Sequence, residues 1–442
     1  MAQHTAKPAT RRNKSRKPAT RPYVLVIDIG TFCDYRLMDT AVQELRRTHK
    51  IVYITNPDHA LPATDTRIDY TLPKVILDNP GDIATNLTGG LDVRVGYALT
   101  HPFVVTASLV SLLHITKIVQ YTVRHFKPVR ILAHCGNVQH IIASGCYKTT
   151  PTSILYFAPG FLPNAEVPFV FHNELKTNPS FDIFNPSYAA FNQQSGEAYH
   201  TQMGKMISTE QYFNALFLHL DFSHLRQMKH LMCFSRPLVP HMRYTIPDLD
   251  IRNVGILPAR LSTDPLEPAL QLWVEAHRGK IMLVSFGSYL SHLMDTLPSF
   301  LATLASACCE NDMYAIFHDE SAATAHFKSA RVKVYTKFVP YPSIVRHCRI
   351  VCFTGSVCLQ NVCWMQACRM LFVPYLPEQY FWAKLYRKHT HVDYVDHQNA
   401  SESVVFQHKL FQALHIKRDF LKRVCESVSP TVSKRIAKIT LE

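Results

Sequence analysis

Residues 338–383 hold the densest set of groups suited to gripping a charged ligand. Phe338-Val339-Pro340-Tyr341 opens the stretch, Cys352-Phe353-Thr354-Gly355-Ser356 occupies its middle, and Val373-Pro374 and Glu378-Gln379-Tyr380-Phe381-Trp382-Ala383 close it. A β-branched and aromatic run, Arg349 to Phe353, ends in a Gly/Ser turn. An apolar segment of helical length follows, then a second short apolar run, Met370 to Val373, stopped by Pro374. The order is strand, tight loop, helix, strand, loop. A loop that feeds a helix N-terminus offers unpaired backbone N–H groups and the positive end of a dipole, so Thr354, Gly355 and Ser356 suit a phosphate. Glu378 and Gln379 fall just past the next strand, on the sheet edge where α/β proteins bind ligands; they fit a turn cap as well as a ligand contact.

The elements that must hold these groups follow from the apolar patterning. Tyr23 to Ile29 is apolar apart from Asp28 and is bounded by Pro22 and Gly30, which marks a buried parallel strand. Met38 to Arg47 has helical spacing and Ile51 to Thr55 is the next strand, so the chain opens with a βαβ unit and predicts an α/β fold. Val129 to Ala133 and Ser153 to Phe157 are further strands, and residues 163–208, rich in Asn, Pro and aromatic side chains, read as long loops. From Asp250 the character changes. Val254-Gly255-Ile256-Leu257-Pro258 leads into a Pro-rich linker, a short helix spans Leu270 to Ala276, and Lys280 to Ser288 is a strand ending in the Gly287-Ser288 turn. Tyr314 to His318 and Val332 to Tyr335 add two strands, and the chain from Gln407 onward is helical and basic. These breaks divide it into a tail (1–22), a first domain (23–245), a linker (246–265), a second domain (266–415) and a terminal helix (416–442).

A chain of 442 residues can bury two sizeable cores. Its formal net charge of +14 is unevenly spread: Lys7, Arg11, Arg12, Lys14, Arg16, Lys17 and Arg21 precede the first strand with no acid among them. Such a tail suits nucleic acid, an import signal, an anionic membrane, or plain solubility. The basic N-terminus lacks the apolar core of a secretory signal. The 12 cysteines show no paired spacing, so they read as reduced thiols of a cytoplasmic protein, and the five between Cys348 and Cys368 as small apolar fillers. Asp248-Leu249-Asp250 is a D-x-D string of a metal-holding kind, but it lies in the linker, and no metal site is expected. Val95 to Thr116 lacks Asp, Glu, Lys and Arg over a length that could span a bilayer; with Pro102, His101, His114 and several hydroxyls inside it, a buried helix or two fits better.

The 338–385 stretch resembles the donor half of a UDP-sugar glycosyltransferase of the two-Rossmann-domain (GT-B) type, glycosyltransferase family 1. It is most similar to the sterol and glycopeptide glycosyltransferases, whose Asp-Gln-x-x-Trp-Ala segment is matched here by Glu378-Gln379-Tyr380-Phe381-Trp382-Ala383. Pro340 and Tyr341 sit where their Pro-His-x-x-Leu-Phe-Pro-like segment would lie. Of their His-His-Gly-Gly-x-Gly-Thr loop only Gly355 is kept, with Thr354 in place of the final His and Ser356 in place of the second Gly. Val254 to Ser288 resembles the entry into their second domain. At the end of the first strand, Gly30, Thr31 and Asp34 match their Gly-Thr/Ser-Arg-Gly-Asp pattern.

The resemblance implies an inverting transfer of a hexose from a UDP-sugar to a hydroxyl of a lipid, sterol-like or other small hydrophobic acceptor, with no metal or other cofactor. Asp34 would be the base. An alcohol becomes a good nucleophile only as its proton leaves, a positioned base contributes roughly 10²–10⁴-fold, and a carboxyl of pKa about 3.9 is ionised at neutral pH. Asp34 also suits a helix N-cap. Thr31 and Trp382 would lie on the acceptor side. Gly287, Ser288, Thr354, Gly355 and Ser356 would meet the diphosphate, where negative charge grows as the leaving group departs. Phe338 or Tyr341 would stack on the uracil, and Glu378 and Gln379 would bind sugar hydroxyls. The family's ribose-holding Glu aligns with Val362, with Gln360 or Asn361 as substitutes one or two residues away. A reading of another class competes: a catalytically degenerate relative that binds RNA, a membrane or a partner through its basic tail. The eroded loop and pared-down length are compatible with a viral or similarly fast-evolving copy, cytoplasmic and at most peripherally bound to membrane.

Overall fold

The computed structural model describes residues 21–28, 32–55, 60–69, 102–159, 222–240, 242, 248–257, 265–287, 296–320, 322–375, 377–429 and 431–442; Gly30, Thr31, Ser288 and the 163–208 segment lie outside them. In chain order the first half contains β1 (Tyr23–Asp28), α1 (Phe32–Val42), β2 (Lys50–Thr55), β3 (Thr66–Asp69), α2 (Pro102–Phe126), β4 (Arg130–His134), α3 (Val138–Ser144), β5 (Thr152–Tyr156), β6 (Lys229–Met232) and β7 (Asp250–Asn253). Its seven strands form one parallel sheet in the order β3-β2-β1-β4-β5-β6-β7. The second half contains α4 (Pro268–Ala276), β8 (Ile281–Ser285), α5 (Leu297–Glu310), β9 (Tyr314–His318), β10 (Val332–Tyr335), α6 (Tyr341–Val345), β11 (Cys348–Phe353), α7 (Val357–Met365), β12 (Arg369–Phe372), α8 (Pro377–Thr390), α9 (Ser403–Leu414), α10 (Asp419–Glu426) and α11 (Val432–Leu441). Its five strands form a second parallel sheet, β10-β9-β8-β11-β12.

The central strands are the ones the apolar runs announce. β1, β5 and β8 are buried almost end to end, because helices cover both faces of a parallel sheet. β3, β6 and β7 are four-residue strands (TRID, KHLM, DIRN) with charged or polar positions and little alternation, so no sequence period marks them. The sequence reading places residues 250–253 in the linker, whereas they form the seventh strand of the first sheet, with Asp250 paired to Arg252 at 2.6 Å. α1 starts at Phe32, ahead of the expected Met38, and closes at Val42. A 3₁₀ turn, Leu45–Arg47, follows and swings Arg46 onto Asp39 and Asp65. α2 is a single helix of 25 residues where a helix or two was expected, and no helix among the described residues is long and apolar enough to cross a membrane. The described cysteines are all free, and burial raises the thiols of Cys352 and Cys363, which suits inert packing groups.

The chain returns to the first sheet at its end. α11 packs on α1 and β4. Arg130 donates to the carbonyls of Thr440 (3.0 Å) and Leu441 (2.9 Å), and Lys229 donates to that of Ile439 (2.9 Å). Two cations thus satisfy the last, otherwise unpaired carbonyls of the helix and meet the negative end of its dipole.

Candidate functional site

Each sheet reverses its winding at one point, between β1 and β4 in the first and between β8 and β11 in the second. Open parallel sheets bind ligands at such points, outside the carboxyl ends of the strands. Both candidate sites of the sequence fall there.

At the second sheet's reversal, Ser285 and Phe353 are in register at the ends of β8 and β11. Phe286-Gly287 continues β8, with Gly287 at φ +57°, and Thr354-Gly355-Ser356 continues β11 into α7. Gly355 has φ +109°, and a Cβ there would lie 3.3 Å from Gln379 Cβ and 3.3 Å from Phe372 Cδ1. The loop therefore seats directly against the first turn of α8, and the two segments that the sequence reading separated by some twenty residues become one wall. Gln379 is buried; its Oε1 accepts from the Tyr375 N–H at 2.7 Å and shapes the turn into α8, while half-buried Glu378 sits in that helix's first turn. Ser356 is the N-cap residue of the nine-residue α7, and its hydroxyl does not cap its own helix. Thr354 is buried.

The two aromatic candidates separate clearly. Phe338 is 50% exposed on the segment between β10 and α6, so its ring is available for stacking. Tyr341 is tied down: its hydroxyl lies 2.8 Å from Ser285 Oγ and 3.0 Å from His318 Nδ1, and its ring stands edge-on to the His318 ring. That network joins the carboxyl ends of β8 and β9, so Tyr341 and His318, the latter read in the sequence only as a strand end, brace that edge of the sheet. Trp382, expected on the acceptor side, is 3% exposed within α8 and meets Phe381 edge to face at 5.7 Å.

At the first sheet's reversal, Asp28 ends β1 fully buried, in register with Thr55 of β2 and one step beyond the Ile27–Ala133 pair. His134 ends β4; its Nδ1 accepts from the Gly136 N–H at 3.1 Å, and its ring stacks on Phe157. Asp34 lies inside α1, the helix that follows β1, rather than at its cap; its side chain lies outside the described atoms. α1 packs against α7, so the segment carrying Asp34 and the helix fed by the Thr354-Gly355-Ser356 loop are neighbours.

Among the described residues, two side-chain amides are fully buried with neither polar atom hydrogen-bonded: Asn137 and Gln360. An orphaned buried polar group costs about 1–3 kcal/mol, so a fold that retains one commonly reserves it for a ligand or water. Both follow the strand just across the reversal, Asn137 after β4 and Gln360 after β11. Asn361, the other ribose candidate, donates to the Leu257 carbonyl at 3.0 Å and anchors the linker. Asn137 was missed in the sequence because His134-Cys135-Gly136-Asn137 reads as a plain turn; its position after a central strand was the available signal.

His140, in α3, has its Nδ1 sealed without a partner, and burial pushes it down to about 4. The unfolded ring titrates near about 6.5, so the neutral ring's contribution to stability is complete above that pH and is lost as pH falls towards 4. Burial lowers His230 in the same direction. The urea midpoint is expected to fall between about pH 7 and about pH 5, and His140→Gln to flatten that slope. A midpoint that is level across the interval in the wild type contradicts this role.

Two Rossmann-like sheets, each with a ligand edge at its winding reversal and joined by a terminal helix that returns to the first, make this a GT-B fold. Among solved structures it resembles a spinosyn rhamnosyltransferase, SpnG, with a TM-score of 0.61 and 12% identity over 94% of this chain and 99% of that one. It is equally similar to UGT2 of Phytolacca americana, solved with UDP-2-fluoroglucose and pterostilbene (TM-score 0.61, 12% identity, 95% and 98% covered). The glycosyltransferase SnogD from Streptomyces nogalater superposes with a TM-score of 0.57 at 14% identity over 95% and 99% of the two chains. No family model matches the sequence. No curated protein matches it.

Proposed function

We propose that the protein is an inverting glycosyltransferase that moves a hexose from a UDP-sugar to a hydroxyl of a lipid, sterol-like or other small hydrophobic acceptor. The observation that carries this reading is the wall formed where Gly355 seats on Gln379, beside a helix α7 that packs on the Asp34 helix. The neighbours support a nucleoside-diphosphate donor: SpnG has been solved with thymidine diphosphate, and the Phytolacca americana enzyme with a UDP-sugar analogue. In this reading Phe338 stacks on the base, and Gln360 offers its unpaired amide to the ribose hydroxyls. The Thr354-Gly355-Ser356 backbone and the first turn of α7 meet the diphosphate without a metal. Gly287 flanks it from the β8 side, and Tyr341 holds Ser285 in place. Glu378 and the Nε2 end of Gln379 bind sugar hydroxyls. Asp34 takes the acceptor proton, and the acceptor oxygen attacks in line opposite the departing diphosphate. Trp382 supports α8 from behind.

The test is calorimetric titration of UDP, UDP-glucose and ADP. Micromolar UDP-glucose binding is expected, weakened at least tenfold by Gln360→Leu and by Phe338→Ala, with ADP much weaker. Absence of any nucleotide binding by the folded protein removes the reading. Binding without turnover on any hydrophobic alcohol would favour the degenerate alternative, to which the buried Thr354 points because it brings no cation to the diphosphate.

A further inference from the structure

Helix α9 turns apolar side chains outward. Its inner face, Phe406, Leu410, Ala413 and Leu414, is buried against α5 and the second sheet, with Phe406 edge-on to Phe300 at 5.5 Å. The outer face of such a helix ordinarily carries charged and polar groups. Here the exposed residues are Val404, His408, Phe411 and, at the C-cap, His415, which recur at helical spacing as one stripe without Asp, Glu, Lys or Arg. Val404 is 80% exposed, more than any other described large apolar side chain, and Phe411 is 55% exposed. The stripe's side chains are held in place: His415 Nδ1 donates to the Phe411 carbonyl at 2.8 Å, its ring lies 4.2 Å from the Phe411 ring, and the Gln412 amide donates to His408 Nε2 at 3.0 Å. An acid and a base stand at its opposite ends, Glu402 at the N-cap and Lys417 just beyond the C-cap. Both are exposed, and neither is in an ion pair among the described residues. The other charges around the helix are engaged: Asp393 takes Lys409 at 3.1 Å and Arg387 at 3.4 Å, Glu310 accepts from Gln407 at 2.8 Å, and Asp396 accepts from Tyr380 at 2.8 Å. Arg418 is followed directly by Asp419, which leaves Lys417 as the uncompensated cation.

We propose that the outer face of α9 is the contact between two copies of this chain, packed helix on helix in antiparallel sense. A two-fold interface needs a surface complementary to itself, in which residue i meets j and j meets i. The stripe has that symmetry. A second copy centred between Lys409 and Leu410 sets Val404 opposite His415 and His408 opposite Phe411, and brings the two Phe411 rings together across the axis. It also sets Glu402 of each copy level with Lys417 of the other, so two ion pairs close the ends, whereas a parallel copy would face Glu402 with Glu402. A membrane surface would call for Lys or Arg flanking the apolar stripe on the helix itself, and the one cation within α9, Lys409, is held by Asp393. The stripe from Val404 to His415 is about 16 Å long at 1.5 Å per residue, a small contact, so the dimer is a weak one with a dissociation constant in the micromolar range.

The experiment is sedimentation velocity of the full-length protein from about 1 to about 200 μM, a range that brackets such a constant. Phe411→Glu, Phe411→Ser, Glu402→Lys, Lys417→Glu and the double variant Glu402→Lys/Lys417→Glu are run alongside, each checked by thermal melting. The wild type is expected to pass from monomer to dimer across the range. Either change at Phe411 should weaken the dimer at least tenfold, because the ring sits at the centre of the contact. Phe411→Ser introduces no charge, so it shows that the loss comes from the missing ring. Each single charge reversal should weaken association severalfold, since it places like charges at both ends of the two-fold, and the double reversal should restore it. A protein that stays monomeric to about 200 μM overturns the proposal. So does a dimer that both Phe411 variants leave intact, which would place the contact elsewhere. A double reversal no better than its single parents overturns the antiparallel register. The substituted residues are none of those assigned to the donor or the acceptor, so dimer formation and UDP binding fail independently.

Discussion

Gly355→Ala is expected to abolish measurable UDP-sugar binding and to lower stability by about 1–3 kcal/mol. Two effects act at one atom. At φ +109° a side chain is strained wherever it is placed, because only glycine populates that region without cost. The new methyl would also sit 3.3 Å from Gln379 Cβ and 3.4 Å from Gln379 Cα, and the latter is backbone in the first turn of a helix that cannot yield as a flexible side chain would. Relief must come from moving the loop off α8, which parts the proposed diphosphate contacts from the proposed sugar contacts; misplacing such groups by about 1 Å costs on the order of 100-fold. Isothermal titration with UDP-glucose, beside a melting curve, reads both effects. Gly287→Ala is the comparison, because among the described residues nothing lies within 4 Å of a Cβ there, and its penalty is mainly conformational. If Gly355→Ala binds donor like wild type, the loop and α8 do not form one site.

Arg46→Ala is expected to cost about 3–5 kcal/mol. Its Nη2 lies 2.5 Å from Asp39 Oδ1 and its Nε 2.8 Å from Asp65 Oδ2, with side-chain exposures of 14%, 8% and 1% for Arg46, Asp39 and Asp65. The pairs are therefore shielded from solvent, unlike exposed ion pairs worth under about 1 kcal/mol. Removing the guanidinium leaves two carboxylates buried close together with no counter-charge. The triad also ties α1, through Asp39, to the segment before β3, so it holds the helix that carries Asp34 and packs on α7. Denaturant unfolding measures the loss, and adding Asp39→Asn and Asp65→Asn to Arg46→Ala should restore much of it, since the penalty comes from stranded charge rather than from a missing attraction. A single variant within about 1 kcal/mol of wild type would show the triad to be solvated.

How far each part of the molecule was legible follows from which forces act locally. β1, β8, β9 and β11 were read to within a residue or so at their starts because strands buried on both faces need largely apolar runs. The Thr354-Gly355-Ser356 loop, its helix, and the return to the sheet edge at Glu378 were readable for the same reason: turn residues and apolar runs are properties of short segments. β3, β6 and β7 were not readable, since four-residue strands with charged positions owe their state to the neighbour they pair with.

What only tertiary structure decided is which groups meet. Gly355 gave the sequence a turn, but its need for glycine comes equally from Gln379, more than twenty residues away. Phe338 and Tyr341 are interchangeable aromatics on paper; the hydrogen bonds from Ser285 and His318 fix one and leave the other exposed. That the amides of Asn137 and Gln360 go unsatisfied has no sequence signal, because being unsatisfied is a property of everything that surrounds a group. The sequence by itself determined the strands, the turns and the charge, since these depend on backbone preference and local hydrophobic period; the packing of parallel strands decided the site, since their shared edge alone brings residues a hundred or more positions apart within reach of one ligand.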